Sequence, residues 1–157
     1  MDITINRLTS ADAVETARVH RAAFDDRLPW LKGLHTPAED ITFFSGMVFS
    51  TCTLWGGFDG DGLIGFVAFR QGWIDQLYVA PGKQGRGLGG RLLAYAKAGQ
   101  DCLRLWTFQR NALARRFYEK HGFTSIEETD GGRNEEKEPD VLYEWLDQGE
   151  EMGRRNR

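Results

Sequence analysis

Ile74-Asp75-Gln76-Leu77-Tyr78-Val79-Ala80-Pro81-Gly82-Lys83-Gln84-Gly85-Arg86-Gly87-Leu88-Gly89-Gly90 is the stretch on which the reading of this chain turns. Residues 74–79 form an apolar, alternating run of the kind a strand makes, and Ala80-Pro81-Gly82 is a turn. Beyond the glycines, Leu88, Leu92, Leu93 and Ala96 recur at the spacing of a helix with one buried face. The order is strand, glycine-rich turn, helix. Glycines here let the backbone take positive φ and let a ligand approach with no Cβ in the way. The first turn of the helix leaves N–H groups unpaired at the positive end of the dipole, which suits a pyrophosphate. The segment reads as an anion cradle.

Three patterns compete for it. A phosphate-binding NTPase loop closes its glycine run with Lys-Ser or Lys-Thr; here Lys83 precedes the run and no such pair follows. The G-x-G-x-x-G of a dinucleotide fold is present as Gly85, Gly87 and Gly90. That fold also wants a carboxylate at the end of the next strand to hold a ribose. The corresponding residues are Leu105-Trp106-Thr107-Phe108, so an NAD-dependent oxidoreductase is disfavoured. A glycine-rich turn with no ligand is the bland alternative. The third pattern is Gln/Arg-x-x-Gly-x-Gly/Ala, met by Gln84, Gly87 and Gly89.

At these residues the chain resembles the GNAT superfamily of acetyl-CoA-dependent N-acetyltransferases. Leu77-Tyr78-Val79-Ala80-Pro81 is similar to that family's strand entering the cofactor loop. Asn111, Ala114, Phe117, Tyr118, Gly122 and Phe123 resemble its second cofactor-facing segment. The resemblance covers about residues 62–146, and the N-terminal third only in its order of elements. It implies an α/β (α+β) fold with a mixed, largely antiparallel central sheet of about seven strands and two helices on each face. It also implies acetyl-CoA as co-substrate, no metal, and a small-molecule or peptide amine as acceptor.

Length and composition suit one globular domain, expected over residues 1–147, with a polar tail at 148–157. Hydrophobic residues at 41% and charged residues at 27% are ordinary values. A net charge of −3 offers no general attraction to nucleic acid or an anionic membrane. The N-terminus lacks a secretion-signal pattern and no apolar run approaches a membrane span. Cys52 and Cys102 lie in apolar, strand-like runs without CxxC spacing, so they read as buried free thiols of a cytoplasmic protein. Five Trp and ten Phe leave apolar surface enough for a homodimer face.

The expected elements begin with a strand through Ile3 and Ile5. A helix follows over about 12–24, with Val14, Ala17 and Phe24 inward. Thr36-Pro37-Ala38-Glu39 predicts a second helix start, with Thr as cap, Pro at the first helical position and Glu three residues on. Phe43, Phe44, Met47 and Val48 are expected to form its buried face. Strands at about 50–58 and 62–71 are joined by Asp59-Gly60-Asp61-Gly62, which reads as a hairpin turn rather than a calcium loop. A central strand over 73–79 leads to the cradle and a helix ending near Gly99. Strand 102–108, helix 111–121 with Gly122 as its C-cap, and strands near 124–128 and 140–146 complete the order. Residues 127–140 hold seven acidic and two basic side chains.

By the resemblance, the pyrophosphate sits on N–H groups of Gly85, Arg86, Gly87, Leu88, Gly89 and Gly90, while Gln84 shapes the turn. Arg86 either adds a charge-assisted contact or stays solvated. The pantetheine arm runs beside Leu77, Tyr78 and Val79, bonding to the backbone as an added strand would. Tyr118 is the expected proton donor to the leaving thiolate; Asn111 is the helix cap and touches the pantetheine arm. Asp75, placed by strand alternation on the face of Trp73, Leu77 and Val79, is the candidate base. Two alternatives stand beside that role: a hydrogen-bonded strand residue, or no base at all. The acceptor is expected against Phe24–Glu39, with Trp30 and His35, and against the acidic residues 127–140, which would favour a cationic amine. A non-catalytic acyl-CoA-binding module is the rival reading from another class.

Overall fold

A computed structural model describes residues 2–148 of the chain. The residues of the expected polar tail from 149 on lie outside that span. Seven strands form one mixed sheet in the order β1-β2-β3-β4-β5-β7-β6. They are β1 (Thr4–Arg7), β2 (Thr53–Asp59), β3 (Gly62–Arg70), β4 (Trp73–Val79), β5 (Cys102–Phe108), β6 (Thr124–Thr129) and β7 (Asp140–Leu146). The helices are α1 (Ala13–Arg27), α2 (Pro37–Phe43), a short α3 (Phe49–Thr51), α4 (Leu88–Lys97) and α5 (Ala112–Lys120). The ladders β1–β2, β2–β3, β5–β7 and β6–β7 are antiparallel, and β4 meets β5 in parallel at Trp73↔Arg104. No helix among the described residues is long and apolar enough to cross a membrane.

The chain divides into two compact units. One holds the residues up to Arg70 with Ile74–Ala98; the other holds Gln71–Trp73 and the described residues from Gly99 on. In the first unit, alternation on β2 and β3 sorts the side chains. Leu54, Phe66 and Ala68 pack with Ala13, Ala17, Val19, Phe44 and Val48 of the α1–α2 region. Gly57 and Gly65, one residue out of phase, face α4 through Leu88. Arg21 joins α1 to α2 by donating two hydrogen bonds of 2.8 Å to Asp40, which is buried.

Two expected faces differ from the observed ones. Val14 is 49% exposed, and α1 instead buries Ala13, Thr16, Ala17, Val19 and Ala23. The Thr36 cap is as expected: its hydroxyl accepts from the Glu39 N–H and the Glu39 carboxylate accepts from the Thr36 N–H. Farther along, Phe44 and Val48 are buried, whereas Phe43 and Met47 are exposed. Phe44–Val48 is a π-turn continuing α2, and Phe44 and Val48 are four apart, so they hold one side while the adjacent pair turns away.

In the second unit, β7 is the centre of its own ladder, flanked by β5 and β6 with a bulge between Ser125 and Glu127. Tyr143, fully buried, donates 2.6 Å to Glu119 and accepts 2.9 Å from Arg115, which fixes α5 on β7. Asn111 caps α5 by accepting from the Ala114 N–H at 3.2 Å. Gly122, at φ +92, follows the helix as expected of a C-terminal cap.

Candidate active site

The cradle is built by three glycines at its surface and two beneath it. Gly85 and Gly87 both have φ +79, and Gly87 is the N-cap residue of α4. An L side chain there would cost about 1–2 kcal/mol in backbone strain. No heavy atom lies within 4 Å of where a Cβ would stand on Gly82, Gly85 or Gly87, so the space over the loop is open. Gly57 and Gly65 do the opposite. A Cβ on either would meet the Leu88 side chain, at 2.5 and 2.8 Å, and on Gly65 also the Tyr78 carbonyl at 3.0 Å. Their lack of a side chain lets Leu88, the first residue of α4, sink onto the sheet. That sets the helix N-terminus close above the end of β4. Leu88 itself is 2% exposed, so what it can offer a ligand is its N–H.

Gln84 donates to the Val79 carbonyl at 3.2 Å and so shapes the turn, as expected. Ala80 N–H bonds to the Ile64 carbonyl at 2.8 Å and fixes the end of β4. Arg86 donates to Asp59 at 2.9 Å, and Lys83 reaches both Asp59, at 3.0 Å, and Asp61. The Arg86 guanidinium first, then the Asp61 N–H and the Lys83 ammonium, hold the Asp59 carboxyl well below the usual carboxylate range. The hydrogen bonds that Lys83 donates to Asp61 and then to Asp59 raise its pKa above the ordinary value.

On β4, Leu77, Tyr78 and Val79 are half-buried. The Tyr78 ring turns inward, edge-on to His20 at 4.8 Å and tilted on Phe66 at 6.0 Å, so its backbone rather than its ring is available to a ligand. Asp75 is not where alternation places it. Its carboxylate accepts from Arg70 at 2.8 Å and from the Cys52 thiol at 3.3 Å. Cys52 and Tyr78 both pack against the α1-side core. Asp75 and Tyr78 are an odd three residues apart, so the period of two is broken between them. Asp75 therefore shares a side with Tyr78, not with Leu77 and Val79. The Cys52 thiol is pushed up to about 11 by burial.

In the second unit, Tyr118 is 8% exposed on α5, within 5.3 Å of Phe117, 5.5 Å of Phe123 and 6.2 Å of Tyr143 between ring centroids. The acidic segment is largely self-satisfied. Glu138 is buried and accepts from Arg110 at 2.8 and 2.9 Å. Asn134 bonds to the Glu138 carbonyl and to Asp140, Lys137 to the Gly132 carbonyl, and Thr129 to Asp140. Glu138 is thus a structural carboxylate rather than a receptor for an amine. In the first unit, His35 stands 3.9 Å from Glu39 and Trp30 is 44% exposed.

Sequence reasoning does not reach Asp59 as a cradle residue, nor Gly57 and Gly65 beneath it. A signal for the glycines is present: glycine inside a strand marks a close approach of something to the backbone. Asp59 carries no such signal, because its partners lie 24 and 27 residues away.

Residues 50–125 match the acetyltransferase (GNAT) domain family, a span that runs from α3 into β6 and includes β4, the cradle, α4, β5 and α5. Solved structures share the fold. Apo YjaB from Escherichia coli is 20% identical with a TM-score of 0.76, over 92% of this chain and 98% of that one. The PaiA N-acetyltransferase from Thermoplasma acidophilum, in complex with coenzyme A, is 22% identical with a TM-score of 0.70, over 94% of this chain and 100% of that one. An acetyltransferase from Thermus thermophilus is 20% identical with a TM-score of 0.71, over 93% of this chain and 97% of that one. No curated protein sequence matches the chain significantly. Over residues 50–125 the chain is thus similar to the acetyltransferase (GNAT) domain family, and along most of its length it shares the fold of those structures.

Proposed function

We propose that this chain is an N-acetyltransferase that moves the acetyl group of acetyl-CoA to a primary amine by direct attack in a ternary complex. The observation that carries the reading is the cradle: Gly85 and Gly87 at positive φ, under open space, at the N-terminus of α4 and the end of β4. Backbone N–H groups of Gly85–Gly90 bind the diphosphate. The pantetheine arm bonds to the backbone of Leu77 and Val79, and Asn111 touches it from the start of α5. A main-chain N–H of β4 stabilises the tetrahedral oxyanion, an interaction worth about 3 kcal/mol in rate for a single donor.

The amine nitrogen bonds to the acetyl carbon, the carbon–sulfur bond breaks, and the Tyr118 hydroxyl gives its proton to the leaving thiolate. The ammonium form loses its first proton to solvent before attack, which alkaline pH favours for a group of pKa about 10. The proton that the nitrogen sheds after attack restores the Tyr118 hydroxyl through solvent. Asp75 is the residue whose replacement separates this from base catalysis, since its carboxylate is already shared between Arg70 and Cys52. A pH profile unshifted in Asp75→Asn argues against a base role and supports solvent as the acceptor; a shifted profile assigns Asp75 as the base. Nothing in these steps calls for a metal ion. Cys52 and Cys102 form no disulfide, which fits a reducing cytoplasm.

Thermal shift with acetyl-CoA, CoA, ATP and NAD, followed by thiol release across an amine panel, tests the reading. A ligand that binds only the native state raises its stability by RT ln(1 + [L]/Kd). Both CoA species are expected to raise Tm, ATP and NAD to leave it unchanged, and thiol release to require an amine. Binding without release on any amine would favour an acyl-CoA-binding module; no shift with either CoA species would overturn the reading.

A further inference from the structure

Two cations flank Gly85, Lys83 before it and Arg86 after it, and a diphosphate cradle would be expected to turn such cations toward its ligand. Here both turn to one carboxylate. Asp59, the last residue of β2, accepts from Lys83 Nζ at 3.0 Å and from Arg86 Nη1 at 2.9 Å on a single oxygen. Its other oxygen accepts from the Asp61 N–H at 2.8 Å. The Asp59 side chain is only 3% exposed. Asp61 supplies a second carboxylate to Lys83. Two cations and two carboxylates sum to no net charge.

We infer that Asp59 is a positioning residue that tethers the cofactor loop to the β2–β3 hairpin through Lys83 and Arg86, so that backbone N–H groups alone carry the diphosphate. This rests on the reading of the loop as a CoA site. The physical need is plain. Gly82, Gly85 and Gly87 sit at positive φ with nothing packed around them, and glycine gains more conformational freedom than any other residue when a loop is released. A loop held by two charge-assisted bonds is ordered before the ligand arrives, which removes that cost from binding. An Asp59 carboxylate without its cations would instead repel a diphosphate.

The sign of one substitution decides it. Asp59→Asn takes the shared carboxylate from Arg86 and leaves Lys83 to Asp61 alone. If the two cations serve the loop's shape, CoA binds more weakly; if they are drawn off the phosphates, losing the shared carboxylate tightens binding. Calorimetric titration of CoA into the wild type, Asp59→Asn, Arg86→Met and the double variant, at one ionic strength, reads this directly. The expected result is a Kd raised about fivefold or more in each single variant, with the double variant no worse than Asp59→Asn, because the two share one interaction. Tighter or unchanged binding by Asp59→Asn, or singles whose losses multiply in the double variant, would overturn the tether. Should Asp59→Asn fail to fold, Arg86→Met alone decides: weaker CoA binding supports the tether, and unchanged or tighter binding overturns it. A wild type that does not bind CoA would instead overturn the reading of the site itself.

Discussion

The cradle at residues 80–87 and the loop between β6 and β7 look alike in composition, since both are short on hydrophobics and carry glycines beside charges. Their glycines do different work. A Cβ on Gly131 would stand 2.3 Å from the Glu138 carbonyl oxygen, so that loop closes tightly on itself. Gly82, Gly85 and Gly87 have nothing within 4 Å. The charges part in the same way. Glu138 is buried under Arg110 inside its own loop region, while Lys83 and Arg86 are drawn off sideways to Asp59 and leave the backbone of the cradle facing outward. A loop whose polar groups bond to one another is structure; one that keeps open space over a helix N-terminus has room for a ligand.

Breaking the comparison at its tightest point should give the largest effect. Gly131→Ala combines a clash with the Glu138 backbone and a φ of +82, and should lower stability by about 3 kcal/mol in chemical denaturation. A loss under about 1 kcal/mol would show that the loop opens freely and that the contrast is false.

A pH-sensitive group lies outside both loops, in the first unit. His20 is pulled down to about 4, by burial first and then by Arg21, and its buried Nδ1 has no hydrogen-bond partner among the described residues. Asp40, Asp25 and His35 also act on it, the carboxylates raising its pKa and His35 lowering it. Because the folded pKa lies below the unfolded one, stability is full above about 6.5 and is lost as pH falls toward 4. Between pH 7 and 5 the loss should be about 2 kcal/mol by urea titration, and His20→Phe should flatten it. An equally steep curve in the variant would place the acid sensitivity elsewhere.

Gly85→Val sharpens the contrast from the other side. Its backbone strain should cost about 1–2 kcal/mol, while CoA affinity drops about tenfold or more. Affinity kept intact would mean that the ligand does not approach Gly85. Tyr118→Phe should leave CoA affinity nearly unchanged and lower kcat about tenfold or more; unaltered turnover removes Tyr118 from proton transfer. The smallest effect is expected from Glu135 and Glu136 changed together to Gln, which should raise KM for a cationic amine by no more than about threefold at a solvated site. Glu138 stays out of that test because it is the buried partner of Arg110.

Much of the architecture is legible in the chain. The bounds of β4, β5 and β7 follow from their apolar runs, and Thr36 and Asn111 announce their helices because a cap is local chemistry. The failures have a common physical form. Helical periodicity puts Phe43 and Met47 inside only if it is carried through a segment that in fact widens into a π-turn. Strand periodicity puts Asp75 beside Leu77 and Val79 only if it is carried through an irregularity. A periodic argument ends where the period changes, and one residue's slip reverses a face. Val14 fails differently: an apolar residue on a helix start says nothing of which side another element covers.

By itself the sequence determined the order strand, glycine loop, helix, because positive φ and a helix start are decided within a few residues. Only the tertiary structure decided which groups remain for a ligand. Asp59 meets Lys83 and Arg86 across 24 and 27 residues, Arg110 meets Glu138 across 28, and Gly57 and Gly65 make room for Leu88. Charges and open space are assigned by what folds against them, and that pairing is written in no single stretch of the chain.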